Sequence, residues 1–498
     1  MTLIRAVLRS GSPPLRALGG DPNPTGLRSL GRRLSPRQNV KGTLQVSLSA
    51  TGQPGPPLRI AVIGSGISGL AAAWLLGRRH RVTLYESEDR LGGHTCTVSA
   101  PGPDGPTPVD MGFIVYNEAA YPNLTALFRH LGVATRETCM SLGVSLDDGD
   151  LEYGSRGLAG FLAQPHNLLR PRFLSMLNGV IRFSRESARD MADSTLAGLS
   201  LGDYLNMRGY SEPFQTDHLL PQAAAIWSSP MARARDYPAE AFVRFFDNHG
   251  LLKLLAKPTW RTVVGGSASY VERLMADFTG EVRSGRGVTS VRRLAGGVQV
   301  RDASGAVEHF DQVVIATHAD QALAMLEVPS PIEGELLAAI RYRPNLAYLH
   351  TDRSLMPRRR AAWSSWNYVG RRGERDQEAA PTVSYWMNCL QGLTGDPLFV
   401  TLNPPREPAA GAILQVREFE HPLFDGPAMA AQRRLWSLQG ARRTWFCGAY
   451  FGAGFHEDGL QAGLAVAEAI GGVRRPWRVD NESSRIFIPA EAPLELAA

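Results

Sequence analysis

The feature that most constrains this chain is an apolar strand that runs directly into a glycine-rich turn and a helix-forming stretch. Residues 58–63 form the apolar run, and Gly64, Gly66 and Gly69 follow it with Gly-x-Gly-x-x-Gly spacing. In such a turn the first glycine permits the tight bend, the second lets the backbone approach a pyrophosphate, and the third lets the helix pack on the strand. Free N–H groups at the helix start, which include that of Ser68, bind the phosphates. The sequence therefore predicts a dinucleotide cradle within an α/β fold.

An acidic residue at the end of the next apolar run supports this prediction. Residues 81–86 read as a second strand, and Glu86 stands 20 residues after Gly66. A ribose hydroxyl would need an acceptor at that position. Glu88 and Asp89 follow and would repel a 2′-phosphate, which favours FAD or NAD over NADP.

An arginine followed by a glycine doublet comes next. Arg90, Gly92 and Gly93 suit a loop that passes close to a diphosphate, although an ordinary surface turn would also explain them. The cradle, Glu86 and this loop together resemble the flavin-containing amine oxidase and phytoene desaturase superfamily. The resemblance implies that these elements hold FAD. It also implies an α/β fold in which a Rossmann-like, two-dinucleotide-binding domain of the amine oxidase type carries an inserted α+β substrate domain.

The far end of the chain carries a second part of the resemblance. Residues 444–463 read as a short strand, a glycine-rich loop and the start of a helix, which is expected over 460–470. The segment is similar to the superfamily's C-terminal flavin motif, which implies that Gly448, Gly459 and Leu460 lie at the cofactor. Ala449 and Tyr450 stand where many relatives have an acid, so contacts to the ribityl chain are expected to differ.

The resemblance also implies the domain organisation. Residues 58–115, 256–325 and 436–475 are expected to form the FAD-binding domain, with the backbone of Val288 near the adenine, and residues 116–255 and 326–435 to form the substrate domain. Residues 1–57 are expected to be a disordered basic extension and residues 476–498 a tail. Apolar spacing predicts strands over 109–116, 282–300 and 312–318, and helices over 121–131, 161–183 and 239–255.

Charge argues against a nucleic-acid partner. The net charge is +6, but residues 1–57 carry seven Arg, one Lys and one Asp, so the remaining residues sum to about −1. The extension lacks a continuous apolar core, which argues against a secretory signal. We expect a cytoplasmic protein with peripheral membrane contact; a mitochondrial presequence is the alternative. The four cysteines are widely spaced and predict neither a metal site nor disulfides.

Few residues suggest catalysis by the protein itself. The run His456-Glu457-Asp458 is expected to cap the C-terminal helix rather than to bind metal. Amine-oxidising members of the superfamily commonly have a lysine near flavin N5, whereas Lys253 and Lys257 lie in an upstream segment. We therefore expect that lysine to be missing, which weakens amine oxidation and leaves dehydrogenation at carbon open.

The segment from residue 350 to residue 391 indicates one branch within the superfamily. Its tryptophans, tyrosines and amides are similar to those of a flavoprotein branch associated with cyclopropane-fatty-acid synthases. They fit an apolar slot with a few orienting polar groups, although single aromatic residues more often fill a core. His350, Tyr385 and Asn388 are the catalytic candidates, and Asp352 is a further substrate-side candidate.

The leading interpretation is an FAD-dependent oxidoreductase that dehydrogenates an apolar substrate, such as an unsaturated or methyl-branched acyl chain, by hydride transfer to flavin N5. The alternatives are an amine oxidase, a carotenoid-type desaturase or isomerase, and a non-catalytic flavin-binding partner of a fatty-acid-modifying methyltransferase.

Overall fold

Five parallel strands form the sheet that carries the glycine-rich turn. The computed structural model describes residues 55–253, 257–372 and 380–489. From one edge to the other, the strands of this sheet are β10 (Glu281–Arg283), β2 (Arg81–Tyr85), β1 (Arg59–Ile63), β14 (Gln312–Ile315) and β20 (Thr444–Phe446). Segments distant in the sequence therefore meet beside the strand that leads into the turn.

Two helices cover the turn that follows β1. Helix α1 (Ile67–Leu76) begins directly after Gly66, and all ten of its residues are buried. A helix that is apolar all round belongs inside a protein. Helix α15 (His456–Ile470) packs against α1, because Gly459 and Gly463 of α15 allow a close approach at Ser68. The C-terminal helix thus completes the layer that holds the turn in place.

A seven-stranded sheet forms the second large layer. Its strands, in spatial order, are β19 (Ile413–Leu423), β15 (Arg341–His350), β18 (Phe399–Leu402), β17 (Thr382–Trp386), β16 (Trp366–Gly370), β7 (Leu142–Leu146) and β8 (Leu151–Gly154). All neighbouring pairs are antiparallel except β16 and β7. Three smaller antiparallel sheets join β3 (Thr97–Ala100) to β4 (Thr107–Asp110), β9 (Trp260–Val263) to β5 (Val115–Asn117) and β6 (Thr135–Thr138), and β12 (Gly297–Asp302) to β11 (Val288–Leu294) and β13 (Val307–Phe310).

A helical layer lies in sequence between β8 and β9. Its members are α3 (Gly157–Phe161), α4 (Pro171–Ala192), α5 (Leu201–Met207), α6 (Glu212–Phe214), α7 (Leu220–Trp227), α8 (Met231–Arg235) and α9 (Ala239–Asn248), with a π-helical turn over Gln215–Leu219. The remaining helices are α2 (Pro122–His130), α10 (Ala268–Ala276), α11 (Ala319–Met325), α12 (Pro331–Ala338), α13 (Met387–Gln391) and α14 (Gly426–Gln432). Buried aromatic side chains, including Phe183, Phe214 and Phe242, form the core of the helical layer.

The predicted α/β architecture is confirmed, and several predicted elements need correction. The strand predicted over 109–116 is two strands, because β4 pairs with β3 and β5 pairs with β9 in another sheet. The helix predicted over 161–183 is interrupted before α4, since Pro165 and Pro171 lack the N–H that a continuous helix needs. Strand β14 ends at Ile315, before the predicted residue 318.

Two other predicted helices also differ at their ends. The C-terminal helix starts at His456 rather than at 460, because the Asp458 carboxylate accepts a hydrogen bond of 2.8 Å from the Phe455 N–H and caps the earlier start. Helix α9 ends at Asn248, where Gly250 takes a φ of +67°. Residues 254 and 255 of that predicted helix lie outside the described residues, as do residues 1–54 and 490–498 of the predicted extension and tail.

The two large sheets draw on different parts of the chain. The five-stranded sheet uses segments between 59 and 85, between 281 and 315, and at 444–446, whereas the seven-stranded sheet uses segments between 142 and 154 and between 341 and 423. The division into an FAD-binding and a substrate domain stays a prediction. None of the helices in the described part of the chain combines the length and the apolar character that crossing a bilayer requires.

Candidate functional site

A cavity of about 1100 Å³ extends from the glycine-rich turn into the space between the seven-stranded sheet and the helical layer. Its lining includes residues of the turn after β1, the end of β2, the loop that contains Arg90, the end of β14 and the loop after β20. Side chains of α4, α7, α9, β16, β17 and β19 line the rest. The predicted cofactor elements and the aromatic segments thus face one continuous space.

The turn after β1 has the geometry of a phosphate cradle. Gly64 takes a φ of +97°, in the region that favours glycine, and a Cβ on Gly69 would lie 1.9 Å from the Gly64 carbonyl oxygen. A Cβ on Gly66 would meet nothing within 4 Å, so the backbone at Gly66 faces open space. No side chain caps the start of α1. A diphosphate therefore has access to the helix N-terminus, where N–H groups and the helix dipole favour an anion.

Glu86 lies beside the turn, as predicted for a ribose contact. The Ser65 N–H and the Ser65 hydroxyl donate to Glu86 Oε2 at 2.9 and 2.6 Å, and the Glu88 N–H donates to Glu86 Oε1 at 3.0 Å. These bonds fix the carboxylate at the end of β2, where it lines the cavity. A carboxylate held in this way is placed to accept hydrogen bonds from ribose hydroxyls.

The loop with Arg90 packs directly on the turn. The Gly92 N–H donates to the Ser65 carbonyl oxygen at 3.1 Å, and a Cβ on Gly93 would lie 3.1 Å from the Gly66 Cα atom. Arg90 Nη1 donates to the Thr95 carbonyl oxygen at 3.1 Å, and Arg90 Nε lies 2.8 Å from Glu88 Oε2. Arg90 and Gly93 line the cavity, whereas Gly92 holds the loop in place.

The segment from Gly448 to Gly463, which we call the C-terminal return, contacts the same turn from the other side. Gly448, Ala449 and Tyr450 line the cavity, as does Ser68 in the first turn of α1. A Cβ on Gly463 would lie 2.1 Å from the Ser68 carbonyl oxygen, and a Cβ on Gly459 would lie 2.8 Å from Ser68 Oγ. The return is therefore packed as tightly as glycine allows.

Gly459 and Leu460 require a correction as cofactor contacts. Both are buried in α15 and lie outside the cavity lining, because the helix starts four residues earlier than predicted. Phe455 and His456 at the true helix start line the cavity instead. Gly459 serves the packing of α15 on α1.

Val288 lies near the ribose end of the cradle, in the lining. The Arg286 N–H donates to the Glu86 carbonyl oxygen at 2.8 Å, and a Cβ on Gly287 would lie 3.1 Å from the Ser87 Cβ atom. The chain thus reaches Val288 directly beside the end of β2. A contact between the Val288 backbone and the adenine stays a prediction.

The lining also provides unpaired polar atoms for a large polar cofactor. Among the described residues, seven of the twelve buried side-chain nitrogen and oxygen atoms without a hydrogen-bond partner belong to residues of this lining. Two of the seven, Arg90 Nε and His318 Nδ1, lie 2.8 and 3.3 Å from the carboxylates of Glu88 and Glu420. The other five, which include His94 Nε2 and Tyr450 Oη, have no polar partner. Because unpaired buried polar atoms are costly, their concentration in one cavity fits a ligand with many donors and acceptors. Together with the open space at Gly66, the residues present fit FAD.

The three residues His456, Glu457 and Asp458 have separate roles. Asp458 caps α15, as predicted, and pairs with Arg485 Nε at 2.6 Å. Glu457 instead accepts hydrogen bonds from the N–H groups of Asn123 and Leu124 at 3.0 and 2.9 Å, so it caps α2. His456 faces the cavity, where its ring stacks on Phe113 at 3.8 Å between centroids.

A histidine cluster lies where the two large sheets meet. The ring centroid of His94, which follows the glycine doublet, lies 5.4 Å from that of His421 on β19 and 6.2 Å from that of His318 after β14. Burial holds the pKa of His94 well below its usual value, with a smaller effect of His421, and burial lowers the pKa of His421 to about 4. These imidazoles are neutral at pH 7. In the described ranges, no group of three or more His, Cys, Asp or Glu side chains is arranged to hold a metal ion.

The histidine cluster reaches the protein surface through an acid. His318 Nδ1 lies 3.3 Å from Glu420 Oε2, and the Glu420 side chain is 39% exposed. The His318 ring also stacks on Tyr342 at 4.2 Å between centroids. The cluster therefore extends from the partly buried His94 imidazole to a carboxylate in contact with water.

The other half of the cavity is apolar and aromatic. Tyr385 lines it, as predicted, and its ring packs edge-on against Trp366 at 5.2 Å. Burial raises the pKa of Tyr385, so its hydroxyl stays protonated near neutral pH. The opposite wall comes from the helical layer and includes Met176, Leu177, Val180, Trp227 and Phe245.

His350 requires a correction as a catalytic candidate. His350 of β15 pairs with Phe399 of β18. On the other side of β18, Phe399 pairs with Trp386 of β17, whereas Tyr385 of β17 pairs with Val400. Because successive side chains of a strand point to opposite faces, His350 and Tyr385 lie on opposite faces of the sheet. His350 is fully buried outside the cavity lining, 2.7 Å from Thr401 Oγ1, and it accepts a hydrogen bond from the Asp352 N–H. It is a core residue.

Asn388 is also misplaced for catalysis. Its side-chain nitrogen donates to the carbonyl oxygens of Leu393 and Asp396, and its side-chain oxygen accepts a hydrogen bond of 2.7 Å from the Leu398 N–H. It therefore closes the loop between α13 and β18 and lies outside the cavity lining. Asp352 likewise caps a short turn through the Ser354 N–H.

Both lysines of the upstream segment belong to the cavity lining, which the sequence did not indicate. Lys253 and Lys257 are exposed to solvent, and Lys257 lies close enough to His218 to help lower its pKa, after the larger effect of burial. No carboxylate in the described ranges lies within 4.0 Å of either ammonium group. The expected absence of a lysine at flavin N5 stays a prediction.

Several lining residues were missed because no local signal marks them. Trp227, Phe245, His249 and Phe424 come from helices and loops far from the cofactor motifs. His94 is the exception, since it directly follows Gly92-Gly93 in a motif that the sequence already indicated.

Comparison with known proteins supports the cofactor half of the site. A model of the family described as flavin containing amine oxidoreductase matches residues 67–389. The Arabidopsis thaliana protein named "Probable polyamine oxidase 4" is 36% identical over 147 residues, which are 28% of this chain and 28% of that protein. The match thus spans little more than a quarter of that relative.

Solved structures share the fold. A fatty acid isomerase from P. acnes that produces CLA has a TM-score of 0.60 and 15% identity, over 84% of this chain and 99% of that one. A putrescine oxidase bound to putrescine has a TM-score of 0.60 and 14% identity, over 83% and 99% of the two chains. At these identities the likeness shows the fold alone. Because the family model matches more than half of the chain, this protein belongs to the flavin containing amine oxidoreductases, a family of FAD-dependent oxidoreductases, and FAD is its cofactor.

Proposed function

We propose that this protein dehydrogenates an apolar acyl chain, unsaturated or methyl-branched, that lies in the aromatic half of the cavity. The observation that carries the proposal is the continuity of the cofactor cradle with a wall of aromatic and aliphatic side chains in one space of about 1100 Å³. Each methylene buried there contributes about 0.8 kcal/mol of transfer free energy. A long chain is therefore held without a dense set of polar contacts.

The distribution of charge in the lining favours a carboxylate over an amine. The lining residues of the helical layer and of the segment up to Trp260 include Lys253 and Lys257 but no acid. The acids of the lining are Glu86 and Glu88 beside the cradle and Glu418 and Glu420 on β19. A substrate cation in the apolar half would be desolvated without a partner, which is costly. A fatty carboxylate has two cations available.

The residues of the cavity supply positioning and proton transfer. FAD held by the cradle at Gly64 and Gly66 and by Glu86 would supply the hydride acceptor, its N5 atom. The apolar walls align one carbon of the chain and exclude water, and the protonated Tyr385 hydroxyl offers a hydrogen bond for orientation. His94, a neutral imidazole with an unpaired Nε2, accepts the proton of the neighbouring carbon. His421 and His318 lie beside His94, with ring centroids 5.4 and 6.2 Å away, and His318 contacts the partly exposed Glu420; these groups would offer the proton a path towards solvent.

Amine oxidation is the second candidate, favoured by the similarity to a polyamine oxidase and to a putrescine oxidase. A desaturase or isomerase of the carotenoid type is a further alternative, and the fatty acid isomerase among the structural neighbours makes redox-neutral chemistry on an acyl chain worth testing. A non-catalytic role beside a lipid methyltransferase is the alternative of another class.

We also propose a cytoplasmic location with peripheral membrane contact, with a mitochondrial location as the alternative.

Product analysis tests the proposal. The holoenzyme is incubated with oleic acid and with a methyl-branched fatty acid in air, and the acyl groups are examined by mass spectrometry. A product two hydrogens lighter, absent with a Gly66→Ala variant that does not retain FAD, supports dehydrogenation. A product of unchanged mass with a moved double bond would assign isomerisation instead. Turnover of putrescine or spermidine with no change in either acid would assign amine oxidation.

A further inference from the structure

Four exposed leucines lie close together in the sequence, on and between two helices that line the cavity. Leu158, Leu168, Leu169 and Leu174, which we call the leucine ledge, are 64%, 36%, 84% and 48% exposed. They account for four of the thirteen exposed large hydrophobic residues in the described part of the chain, yet they lie within 17 residues of sequence. The other nine are scattered between residues 207 and 487. A concentration of exposed apolar side chains marks a contact surface.

The ledge is continuous with the wall of the cavity. Leu158 lies on α3, where Phe161 lines the cavity, and Leu174 lies on α4, where Leu177 and Val180 line it. These three lining residues are only half-buried, so part of the cavity wall is in contact with solvent beside the ledge. Lys253 and Lys257 are exposed members of the same lining. A surface that covers the ledge would therefore also contact residues of the cavity wall.

Three arginines lie beside the Leu158 end of the ledge. Arg156 precedes Leu158, and the turn that carries Arg358 and Arg360 packs on α3, where a Cβ on Gly160 would lie 3.4 Å from the Ala361 carbonyl oxygen. All three arginines are exposed, and none has a carboxylate within 4.0 Å of its guanidinium among the described residues. The nearby acids are already paired, Asp150 with Arg170 and Arg372 at 3.1 and 3.3 Å.

Aromatic side chains lie next to two of these arginines. The Arg360 guanidinium lies over the Trp363 ring at 4.1 Å and over the Trp386 ring at 5.0 Å, and that of Arg156 lies over the Trp386 ring at 5.2 Å. Trp386 is half-buried. Exposed leucines bordered by unpaired cations and an amphipathic indole are the composition of a surface that lies on anionic lipid.

We infer that the leucine ledge docks on an anionic lipid bilayer and that the acyl substrate passes from the bilayer into the cavity beside it. The inference rests on the proposed function for the identity of the chain that passes, whereas the docking itself does not. Docking would place the half-buried lining residues Phe161, Leu177 and Val180 against the acyl region, so a chain need not cross water to reach the cavity. The cations would contact lipid phosphates at the rim.

Vesicle binding tests this surface directly. The full-length holoenzyme is sedimented with vesicles of phosphatidylcholine alone and of phosphatidylcholine with 30 mol % phosphatidylglycerol. We expect binding to the anionic vesicles and a loss of at least about tenfold in Leu158→Ser/Leu169→Ser/Leu174→Ser. Val328→Ser/Leu294→Ser is the matched control, because these residues are 69% and 41% exposed elsewhere in the chain, and it should bind like the wild type.

A second variant tests the contribution of the arginines beside the ledge. Arg156→Glu/Arg360→Glu should lose the preference for anionic vesicles while flavin content stays unchanged. Equal binding by the wild type and the triple-serine variant would overturn the inference and assign the attraction to another part of the chain, such as the basic residues before position 57. A wild-type dimer that dissociates in the triple-serine variant, without vesicle binding, would overturn it in favour of a second copy.

Measurements of the turnover rate distinguish the docking surface from the proposed function. With a short acyl substrate dissolved as monomers, the triple-serine variant should keep wild-type kcat and KM, whereas with the same acyl group in vesicles its rate should fall about as much as its binding. Vesicle binding without any acyl turnover would keep the docking surface and remove the proposed function. Unchanged turnover of vesicle substrate by the triple-serine variant would remove the docking surface alone.

Discussion

Replacing Gly66 with alanine should remove FAD binding without unfolding the protein. A Cβ on Gly66 meets no atom within 4 Å, and the backbone angles of φ −62° and ψ 172° suit alanine. The methyl group therefore occupies only the space where a pyrophosphate approaches the start of α1. A hydrogen bond from an N–H to a charged group contributes about 1.5–3 kcal/mol. Loss of two such bonds weakens FAD binding by about 3–6 kcal/mol, or about 10²- to 10⁴-fold.

The assay is titration of the refolded or flavin-stripped protein with FAD, followed by quenching of flavin fluorescence. Gly334→Ala is the matched control, since a Cβ there also meets nothing within 4 Å but lies in α12, away from the cavity. Its FAD affinity should equal that of the wild type. The flavin-free forms should differ in stability by no more than about 1 kcal/mol. A Gly66→Ala protein that binds FAD within about threefold of the wild type would refute the assignment of the cradle.

Further predictions concern packing, pH and substrate class. Gly463→Ala should destabilise the protein by about 1–3 kcal/mol in thermal denaturation, because its Cβ would lie 2.1 Å from a backbone oxygen, while Gly459→Ala should cost less because its nearest neighbour is a rotatable hydroxyl; equal costs would contradict this. Burial lowers the pKa of His249 to about 3, so only the unfolded chain binds this proton between pH 6.5 and 3 and stability is lost as pH falls through that window. His249→Gln should therefore lose about 2 kcal/mol less than the wild type between pH 7 and pH 5, and parallel pH profiles would count against it. Primary amines and polyamines should leave the flavin oxidised under anaerobic conditions, and bleaching by any of them would promote amine oxidation.

The cofactor half of the site could be predicted from the sequence because its determinants are local. The turn at Gly64, the carboxylate at Glu86 and the loop at Gly93 lie within 30 residues, and each is fixed by a backbone requirement that only certain residues meet. The return at Gly448 is distant in the chain, but its own strand, loop and helix form a recognisable unit. The structure brings these segments to one cavity.

The substrate half could not be predicted in the same way, because strand register and facing decide which side chains reach the cavity. Tyr385 and His350 carry similar sequence signals, yet register places them on opposite faces of one sheet. Asn388 lies only three residues after Tyr385, but the chain has turned into α13 there. Periodicity alone gives two faces to each strand and does not say which one meets the helical layer.

The start of the C-terminal helix was predicted incorrectly for a related reason. The start of α15 depends on Asp458, which can cap the helix only once Arg485 and the neighbouring backbone are in place. Glu457, one residue earlier, caps a different helix, which only tertiary contacts reveal. Adjacent acids with different partners cannot be assigned from their order in the chain.

The reductive half-reaction tests the central claim most directly. The oxidised holoenzyme is mixed anaerobically with a monounsaturated or methyl-branched fatty acid, and the visible absorbance of its flavin is followed by stopped flow, with the matching alkylamine as the comparison. We predict that a fatty acid bleaches the flavin in a saturable manner, that the amine does not, and that Lys253→Ala/Lys257→Ala raises the half-saturating acid concentration with little change in the limiting rate. Bleaching by the amine with no response to any acid would contradict dehydrogenation of an acyl chain in this cavity.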